Sequence, residues 1–590
     1  MRKIEVLRNC TTQRDLARIL GYPERKFTQI LFTQNVIHQY KKFEISKKSG
    51  GLRTIYAPKD ELKELQRRLS TYLQDCHKEI ELHRLSNHQQ ISIKSFSSFA
   101  FRPKIKLELS NRILHFDIYN HALKHTNKKF VLNLDLENFF ETITFSRIVG
   151  YFIKNESFLL KKDIAILIAQ ICTIRASQNE EGFLPQGSPT SPIISNLIGN
   201  ILDIKILRLA QKYKLNYSRY ADDITLSTNM KDFPQEIAYL KNSKWIVGEK
   251  LESIIIKSKF KINHKKTRLY LKSNRQEVTS LTVNQKVDIN KNYYRYTRAM
   301  VNSYCRDGEY FKSKLHMDAE KVSENALNGI INFVFSIKQN NYDFSSDDKF
   351  RSFNTLTSIE KLYVEFLFHY YFVYPNKMLV IGEGYTDPLH LKLATKNTDP
   401  EVLNYIKFSA LEHTKRFSKF LKIKGGTGLL CKFLKEYPVI FKAKKLSLKP
   451  FVIIVDGDKA GNDVIQIAKN LYPNHKIVGL ESIFPEGQIN RFIHVQHNLY
   501  IIQQPKDKAI ENLYTEYITN TKIDGRELFL SNNKNEFKKD KHYDKKEFYN
   551  NVIFKNSDNI DFTGFKQVID ILVYLQLYHF FYWITKEVLE

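Results

Sequence analysis

Acidic residues planted at the ends of short apolar runs are the strongest constraint on how this chain folds. Asp135 is embedded in Val131-Leu-Asn-Leu-Asp-Leu136, a run that reads as a buried strand. A lone carboxylate is too costly to bury without a partner, so Asp135 must emerge at or near the strand end. The segment Tyr217–Thr228, YSRYADDITLST, alternates and turns around Asp222 and Asp223, as a β-hairpin does. Two later runs, Met378–Ile381 and Phe451–Val455, are each followed at once by Gly and acidic residues and then by helical text. That is the pattern of strand–loop–helix units with a site at the strand carboxyl ends.

Between these points lie helices. Leu62, Leu65, Leu69, Leu73 and Cys76 recur at helical spacing over Glu61–Cys76, and helices are expected at Asp163–Ile174 and Ser195–Tyr213. Phe260–Leu271 and Thr279–Val287 read as further strands, so residues 1–335 predict one α+β module. A polar stretch around QNNYDFSSDDKF predicts a linker over 336–374, followed by an α/β module over 375–490 and a helical extension over 491–590. Residues 534–548, rich in Lys, read as a solvated face or loop.

Composition narrows the partners. Against 63 Asp and Glu stand 92 Lys and Arg, a net charge of +29, while 41 Phe and 33 Tyr exclude a solvated disordered chain. Basic residues on folded, aromatic-rich surfaces fit a nucleic acid, with an anionic membrane surface as the competitor. The five scattered cysteines form no CxxC pair, and no signal peptide opens the chain, so a cytoplasmic protein is expected. Ile571–Ile584 is shorter than the roughly 20 residues of a membrane span and reads as a buried helix.

Asp135, Asp222 and Asp223 are either ordinary turn and strand-end residues or hard oxygen ligands for two Mg²⁺ ions about 4 Å apart, as nucleotidyl transfer requires. The intervening loop Leu184-Pro-Gln-Gly-Ser-Pro-Thr-Ser-Pro192 is either mere punctuation before a helix or, in a polymerase, a place where Gly187 permits close backbone approach to a template–nucleotide pair and Gln186 can hydrogen-bond nearby. The order Asp135, Gln186-Gly187, Tyr220-Ala-Asp-Asp223 resembles motifs A, B and C of a reverse transcriptase palm. Gly51-Leu-Arg53-Thr-Ile-Tyr-Ala-Pro58 is similar to the fingers motif in which Arg53 would contact the incoming dNTP, and Asn263-His-Lys-Lys-Thr267 to the motif placing Lys265 or Lys266 near the pyrophosphate. Phe140 stands where such enzymes carry a steric gate against ribonucleotides.

Bacterial retron reverse transcriptases share two further regions, matched by Val278-Thr-Ser-Leu-Thr-Val-Asn284 and by Tyr293-Tyr-Arg-Tyr-Thr-Arg-Ala299. His121-Ala-Leu-Lys-His125 resembles their NAxxH region, with His121 replacing the usual Asn and Ser280 the usual Gly. The resemblance implies a right-hand polymerase of fingers, palm and thumb that copies its own structured noncoding RNA from a guanosine 2′-OH, giving branched msDNA that stays bound.

In the second module, Glu383 follows the first strand, and Asp456 and Asp458 follow a later one. They are either strand-end turn residues or ligands converging on a metal-filled notch. The set resembles a Rossmann-like TOPRIM domain, with Asp387 matching an EGxxD variant of OLD-like nucleases, Asp463 an accessory ligand and Glu511 a further candidate. Lys424-Gly-Gly-Thr-Gly428 offers a backbone turn nearby. The resemblance implies one or two Mg²⁺ ions and a nuclease acting on RNA, including tRNA, or DNA. The fusion resembles an antiphage retron subtype whose effector is a toxin restrained by the msDNA complex, with homo-oligomerisation open. A noncatalytic msDNA-binding module and an RNase H-type trimming activity are the alternatives.

Overall fold

A computed structural model describes residues 2–33, 39–46, 50–85, 92–107, 112–175, 180–310, 323–340, 351–411, 417, 421, 426–445, 447–530 and 536–589. The chain divides into two compact units, Met1–Asn290 and Lys291–Glu590.

The first unit is built on a five-stranded antiparallel sheet with the Asp135 strand, Phe130–Glu137, inside it. Lys261–Ile262, Phe130–Glu137, Asp223–Thr228 and Asn216–Tyr220 follow one another across the sheet, and Arg268–Leu271 pairs with the other half of Phe130–Glu137. Strand alternation separates two faces. Leu132, Leu134, Ile224 and Leu226 enter the main core with Ile164, Ile168, Ile193 and Leu197 of the covering helices. Asn133, Asp135, Asp223, Thr225 and Ser227 take the opposite face, where polar side chains satisfy one another: Thr225 donates to Asn133 Oδ1 at 3.0 Å, and buried His125 bridges Ser227 at 2.7 Å and Ser218 at 2.6 Å.

The amphipathic helix expected over Glu61–Cys76 forms as Asp60–Leu85 and buries the five residues whose spacing announced it. It follows a hairpin of Tyr40–Ser46 and Leu52–Pro58, with Arg53 opposite Ile45. The strand expected over Phe260–Leu271 is interrupted: Asn263–Thr267 turns across the end of the Asp135 strand, tied by the Asn263 amide to the Asp135 carbonyl at 2.8 Å. Thr279–Val287 retains only Leu281–Thr282 in a strand, because Thr279 and Ser280 sit at φ 46° and 65° in a left-handed turn. Ser280 thus occupies a conformation that suits Gly, the residue it replaces.

In the second unit, the expected boundaries move. The 336–374 linker is largely a folded helix among its described residues: Ser358–Phe368 buries Leu362, Val364, Phe366 and Phe368. It packs with helices Lys291–Asp307 and Glu324–Gln339, bringing Tyr304 within 5.6 Å of Phe366. Residues 341–350, the heart of the expected linker, lie outside the described set. The reason is composition: a short apolar helix follows the polar stretch and needs a hydrophobic partner.

The expected end at 490 cuts through a six-stranded sheet. Its order is Ile406–Phe408, Met378–Gly382, Phe451–Val455, Leu499–Gln503, Arg491–Gln496 and Lys476–Gly479. The first four strands are parallel, and Arg491–Gln496 runs antiparallel to its neighbours on both sides. Leu499–Gln503 lies beside Phe451–Val455, so residues beyond 490 belong to the sheet and do not form a separate helical extension. One face is covered by Asp387–Thr398 and the terminal helix Lys566–Leu589, whose Val568, Ile571, Leu572 and Leu575 join Val380, Val452 and Ile502 in one core. Among the described residues, Thr563–Thr585 is long and apolar enough to cross a membrane by composition alone. Within the unit, its His579 accepts or donates to Tyr500 at 2.8 Å and meets the Ser447 carbonyl at 2.8 Å.

Candidate active sites

Asp135 and Asp223 are direct cross-strand partners on adjacent strands, and Asp222 lies in the two-residue turn that joins Asp223 to Tyr220. Ala221, the other turn residue, has φ 56°, a left-handed conformation costing an L-residue roughly 1–2 kcal/mol. The surroundings hold it there. Buried Arg219 donates to the Ala221 carbonyl at 3.0 Å and to Asp203 through two bonds of 2.7 Å, while Tyr217 donates to the same carboxylate at 2.6 Å. Neither Arg219 nor Asp203 belongs to a motif; their only sequence signal is a charge placed in an otherwise apolar strand and helix.

The three carboxylates repel one another. Burial, then Asp222 and Asp135, push Asp223 up to about 7, and burial followed by Asp135 raises Asp222. Lys266 answers this charge, pairing with Asp135 Oδ1 at 2.8 Å, while the Asn263 amide donates to Asp135 Oδ2 at 3.1 Å. Of the two lysines considered, both are exposed, and Lys266 is the one that meets the triad through Asp135. Arg53 is near enough to Asp222 to help hold its carboxyl acidic.

Gly187 is exposed at φ 113°, and a Cβ there would lie 2.8 Å from Ile55 and 2.9 Å from the Tyr56 carbonyl. The Gln186 carbonyl accepts from Tyr56 N at 2.8 Å, so the loop is docked on the Leu52–Pro58 strand that carries Arg53. Phe139 is buried and stacks on Phe260 at 5.6 Å; Phe140 is half-buried, 6.5 Å from Phe101. His121 Nδ1 meets Thr279 at 3.3 Å, joining two of the regions singled out in the sequence.

The second unit gathers its own acids. Glu383, at the end of Met378–Gly382, has one oxygen bonded by Thr427 and the other, Oε2, buried without a hydrogen-bond partner. Asp387 is buried and accepts from Gly384 N at 2.7 Å. Asp456 follows Phe451–Val455 and is driven up to about 7, by burial first and then by Asp387, Glu511 and Glu383. Lys545 lies among them, 2.9 Å from Glu511 and 3.6 Å from Asp456. Asp458 caps the next helix through Gly461 N at 2.7 Å. Asp463 is exposed one turn further on, and its charge is felt by Cys431. Lys424 and Gly425 of the glycine-rich stretch lie outside the described residues; Gly426 N donates to the Glu383 carbonyl at 3.0 Å. Lys545 had no motif to announce it.

Among the described residues, no three acidic, His or Cys side chains close on one point as a finished metal cage. The donor chemistry nevertheless fits Mg²⁺, which keeps several waters and takes one or two carboxylates plus substrate phosphates. In the first unit the observation is three crowded carboxylates facing one lysine; in the second, it is the orphaned Glu383 oxygen beside Asp456.

The first unit carries the features of a polymerase palm, and the family described as reverse transcriptase (RNA-dependent DNA polymerase) matches residues 45–296. The retron Ec86 reverse transcriptase of Escherichia coli is 30% identical over 305 residues, 51% of this chain and 77% of that protein. The retron Mx65 reverse transcriptase of Myxococcus xanthus is 27% identical over 320 residues, 52% of this chain and 66% of the relative. A Candida tropicalis telomerase structure with a telomeric RNA fragment covers 68% of this chain and 63% of its own, at 13% identity and a TM-score of 0.30. The chain belongs to the family of bacterial retron reverse transcriptases.

Proposed function

We propose that the first unit, with the Lys291–Asp307 helix, is an RNA-directed DNA polymerase that makes branched msDNA from its own structured noncoding RNA. The observation that carries this reading is the direct pairing of Asp135 with Asp223, with Lys266 on Asp135 and Gln186-Gly187 docked on the Arg53 strand. Asp135, Asp222 and Asp223 would hold two Mg²⁺ ions; Arg53 and Lys266 would meet the triphosphate, and Phe140 would crowd a ribose 2′-OH. Tyr293, Arg295, Tyr296 and Arg298 are exposed on one helix, offering stacking faces and charge to RNA. Asp222→Ala with Asp223→Ala is expected to remove all msDNA from cells, and abundant msDNA would overturn the assignment.

The second unit reads best as a TOPRIM-type, Mg²⁺-dependent nuclease that acts as a defence effector and is held inactive by the msDNA complex. Glu383, Asp387, Asp456, Asp458 and Glu511 supply hard donors at the carboxyl ends of parallel strands, where such sites form. Bound Mg²⁺ at either site supplies Lewis-acid stabilisation of phosphoryl oxygens. One observation favours a noncatalytic unit instead: Lys545 already neutralises part of the acidic cluster. Glu383→Ala separates the two. Loss of toxicity and of Mg²⁺-dependent cleavage, with msDNA synthesis intact, supports the nuclease; cleavage that survives sinks it. Degradation confined to the RNA strand of a heteroduplex would instead mark an RNase H-type activity.

A further inference from the structure

A cleft of about 370 Å³ opens in the second unit beside the edge strand Ile406–Phe408, within the usual range for ligand sites. Tyr370, Tyr371, Asn328, Lys377, Lys407 and Ser409 are among the residues that line it, and among the described residues no Asp or Glu does. Two aromatic rings and two ammonium groups with no carboxylate opposing them suit a polyanion that carries flat apolar faces.

The rings are placed by the local fold. Ser358–Phe368 continues into a wide π-helical turn, His369–Val373, a form of turn frequent at functional sites. Within it Phe372 and Val373 are buried, whereas Tyr370 and Tyr371 are only half-buried. Partners outside the turn hold it: His369 bridges the Glu365 carbonyl at 2.8 Å and Lys442 N at 3.1 Å, and Asn498 Nδ2 donates to the Phe372 carbonyl at 2.9 Å. Tyr370 stacks on Phe366 at 5.6 Å, its hydroxyl donates to Asn325 Oδ1 at 3.2 Å, and Tyr371 meets its ring edge-on at 5.2 Å. Rings braced in this way lose little freedom when a base stacks on them. Lys377 Nζ donates to the Leu403 carbonyl at 2.9 Å, which leaves two of its three N–H groups for a ligand. Lys407 is exposed and stands in register with Leu379, another lining residue.

The cleft also leads towards the acidic site. From Leu379 the same strand reaches Glu383 four residues later, about 13 Å of extended chain. Ser409 N donates to the Val380 carbonyl at 3.0 Å, and the next two residues, Ala410 and Leu411, line a smaller hollow together with Glu383 and Gly384. We propose that the cleft holds a single strand of nucleic acid, its bases against Tyr370 and Tyr371 and its phosphates at Lys377 and Lys407, and leads it to Glu383. The last clause rests on the nuclease reading. An unpaired strand offers base faces to the rings, while a duplex keeps its faces stacked on one another.

The polymerase unit is expected to bind nucleic acid too, so the test reads position. A single-stranded oligonucleotide carrying 5-iododeoxyuridine is crosslinked by ultraviolet light to the full-length protein in EDTA, and the adducts are located by mass spectrometry. Adducts on Tyr370 or Tyr371 are expected, at least about fivefold fewer with the same sequence as a duplex. Lys377→Glu combined with Lys407→Glu, both at exposed positions, should cut these adducts at least about fivefold, leave adducts in the first unit unchanged and spare the melting temperature. No adduct at either tyrosine, equal adducts from the duplex, or adducts indifferent to the charge reversal would overturn the proposal. So would poly-glutamate that protects the tyrosines as well as unlabelled strand does at equal charge, which would mark a site for acidic peptide.

Glu383→Ala must keep the adducts, so the cleft stands if cleavage is never found and the nuclease reading alone fails. Where cleavage occurs, the charge reversal should raise KM for a single-stranded substrate with kcat nearly unchanged; an unchanged KM would take the cleft off the path to Glu383. The strand has two sources, an added substrate and the protein's own msDNA. Adducts equal in protein purified with msDNA and in msDNA-free protein carrying Asp222→Ala and Asp223→Ala assign the cleft to a substrate, and adducts confined to the msDNA-free variant assign it to msDNA.

Discussion

Arg219 and Asp203 form a fully buried, two-pronged ion pair, both bonds 2.7 Å long, that ties the Ser191–Lys212 helix to the turn bearing Asp222. Removing one partner leaves the other charge buried and unpaired, which costs about 3–5 kcal/mol. Arg219→Met should therefore shift the urea midpoint strongly downwards and abolish DNA synthesis, because the left-handed Ala221 loses the bond that holds its carbonyl. Arg219→Met combined with Asp203→Leu should cost less than the single change. A double variant whose loss equals the sum of two single losses would show that the pair does not act as a unit.

The raised Asp223 makes the stability of the metal-free protein fall with pH. The folded state keeps a proton that the unfolded chain releases near 3.8, so between about pH 4 and pH 7 it binds more protons, and stability declines as pH rises through that window. Asp223→Asn should stabilise the protein at pH 8, by about 1 kcal/mol at most because solvent screens a residue exposed at the strand end, with little difference at pH 4, while eliminating synthesis. Adding Mg²⁺ to the unaltered protein at pH 8 should raise its melting temperature and leave the variant's nearly unchanged. Thermal unfolding across pH, with and without Mg²⁺, checks both.

Phe140 is half-buried next to fully buried Phe139, so the two rings can be separated experimentally. Phe140→Val should admit ribonucleotides, narrowing the preference for dNTPs over rNTPs by at least about tenfold with a modest stability loss. Phe139→Val should instead lower stability by about 2–4 kcal/mol through lost core packing, without changing sugar selection. Primer extension with each nucleotide set, beside urea unfolding, distinguishes the roles.

Lys545 is the counter-charge of the second site. Lys545→Met leaves Asp456 and Asp387 beside Glu511 with no counter-charge, so the two aspartates should hold protons to higher pH than in the unaltered protein. Destabilisation of about 2–4 kcal/mol is expected above pH 7 and should shrink towards pH 5 as the acids become neutral. A penalty independent of pH would show that Lys545 acts through packing alone.

Much of the architecture could be read from periodicity. The Asp135 strand, the Asp222–Asp223 hairpin, the helices over 61–76, 163–174 and 195–213, and the two apolar strands before Glu383 and Asp456 all formed where local pattern placed them. Each buries a face whose spacing is written in a few consecutive residues. Boundaries were less legible: residues 491–503 read as the start of a helical extension, yet they form two strands, one of them beside Phe451–Val455, whose pairing across the sheet no local pattern records.

By itself the sequence determined which residues match the motifs of the reverse transcriptase family, since Asp135, Gln186-Gly187 and Asp222-Asp223 are recognisable in order without coordinates. Only the tertiary structure decided how those acids are held and balanced. Arg219 meets Asp203, Lys266 rather than Lys265 meets Asp135, and Lys545 enters the cluster of Asp456 and Glu511. Local pattern reports which face a side chain prefers; the partner of a buried charge is set by chain packing across tens to hundreds of residues, and no local pattern contains it.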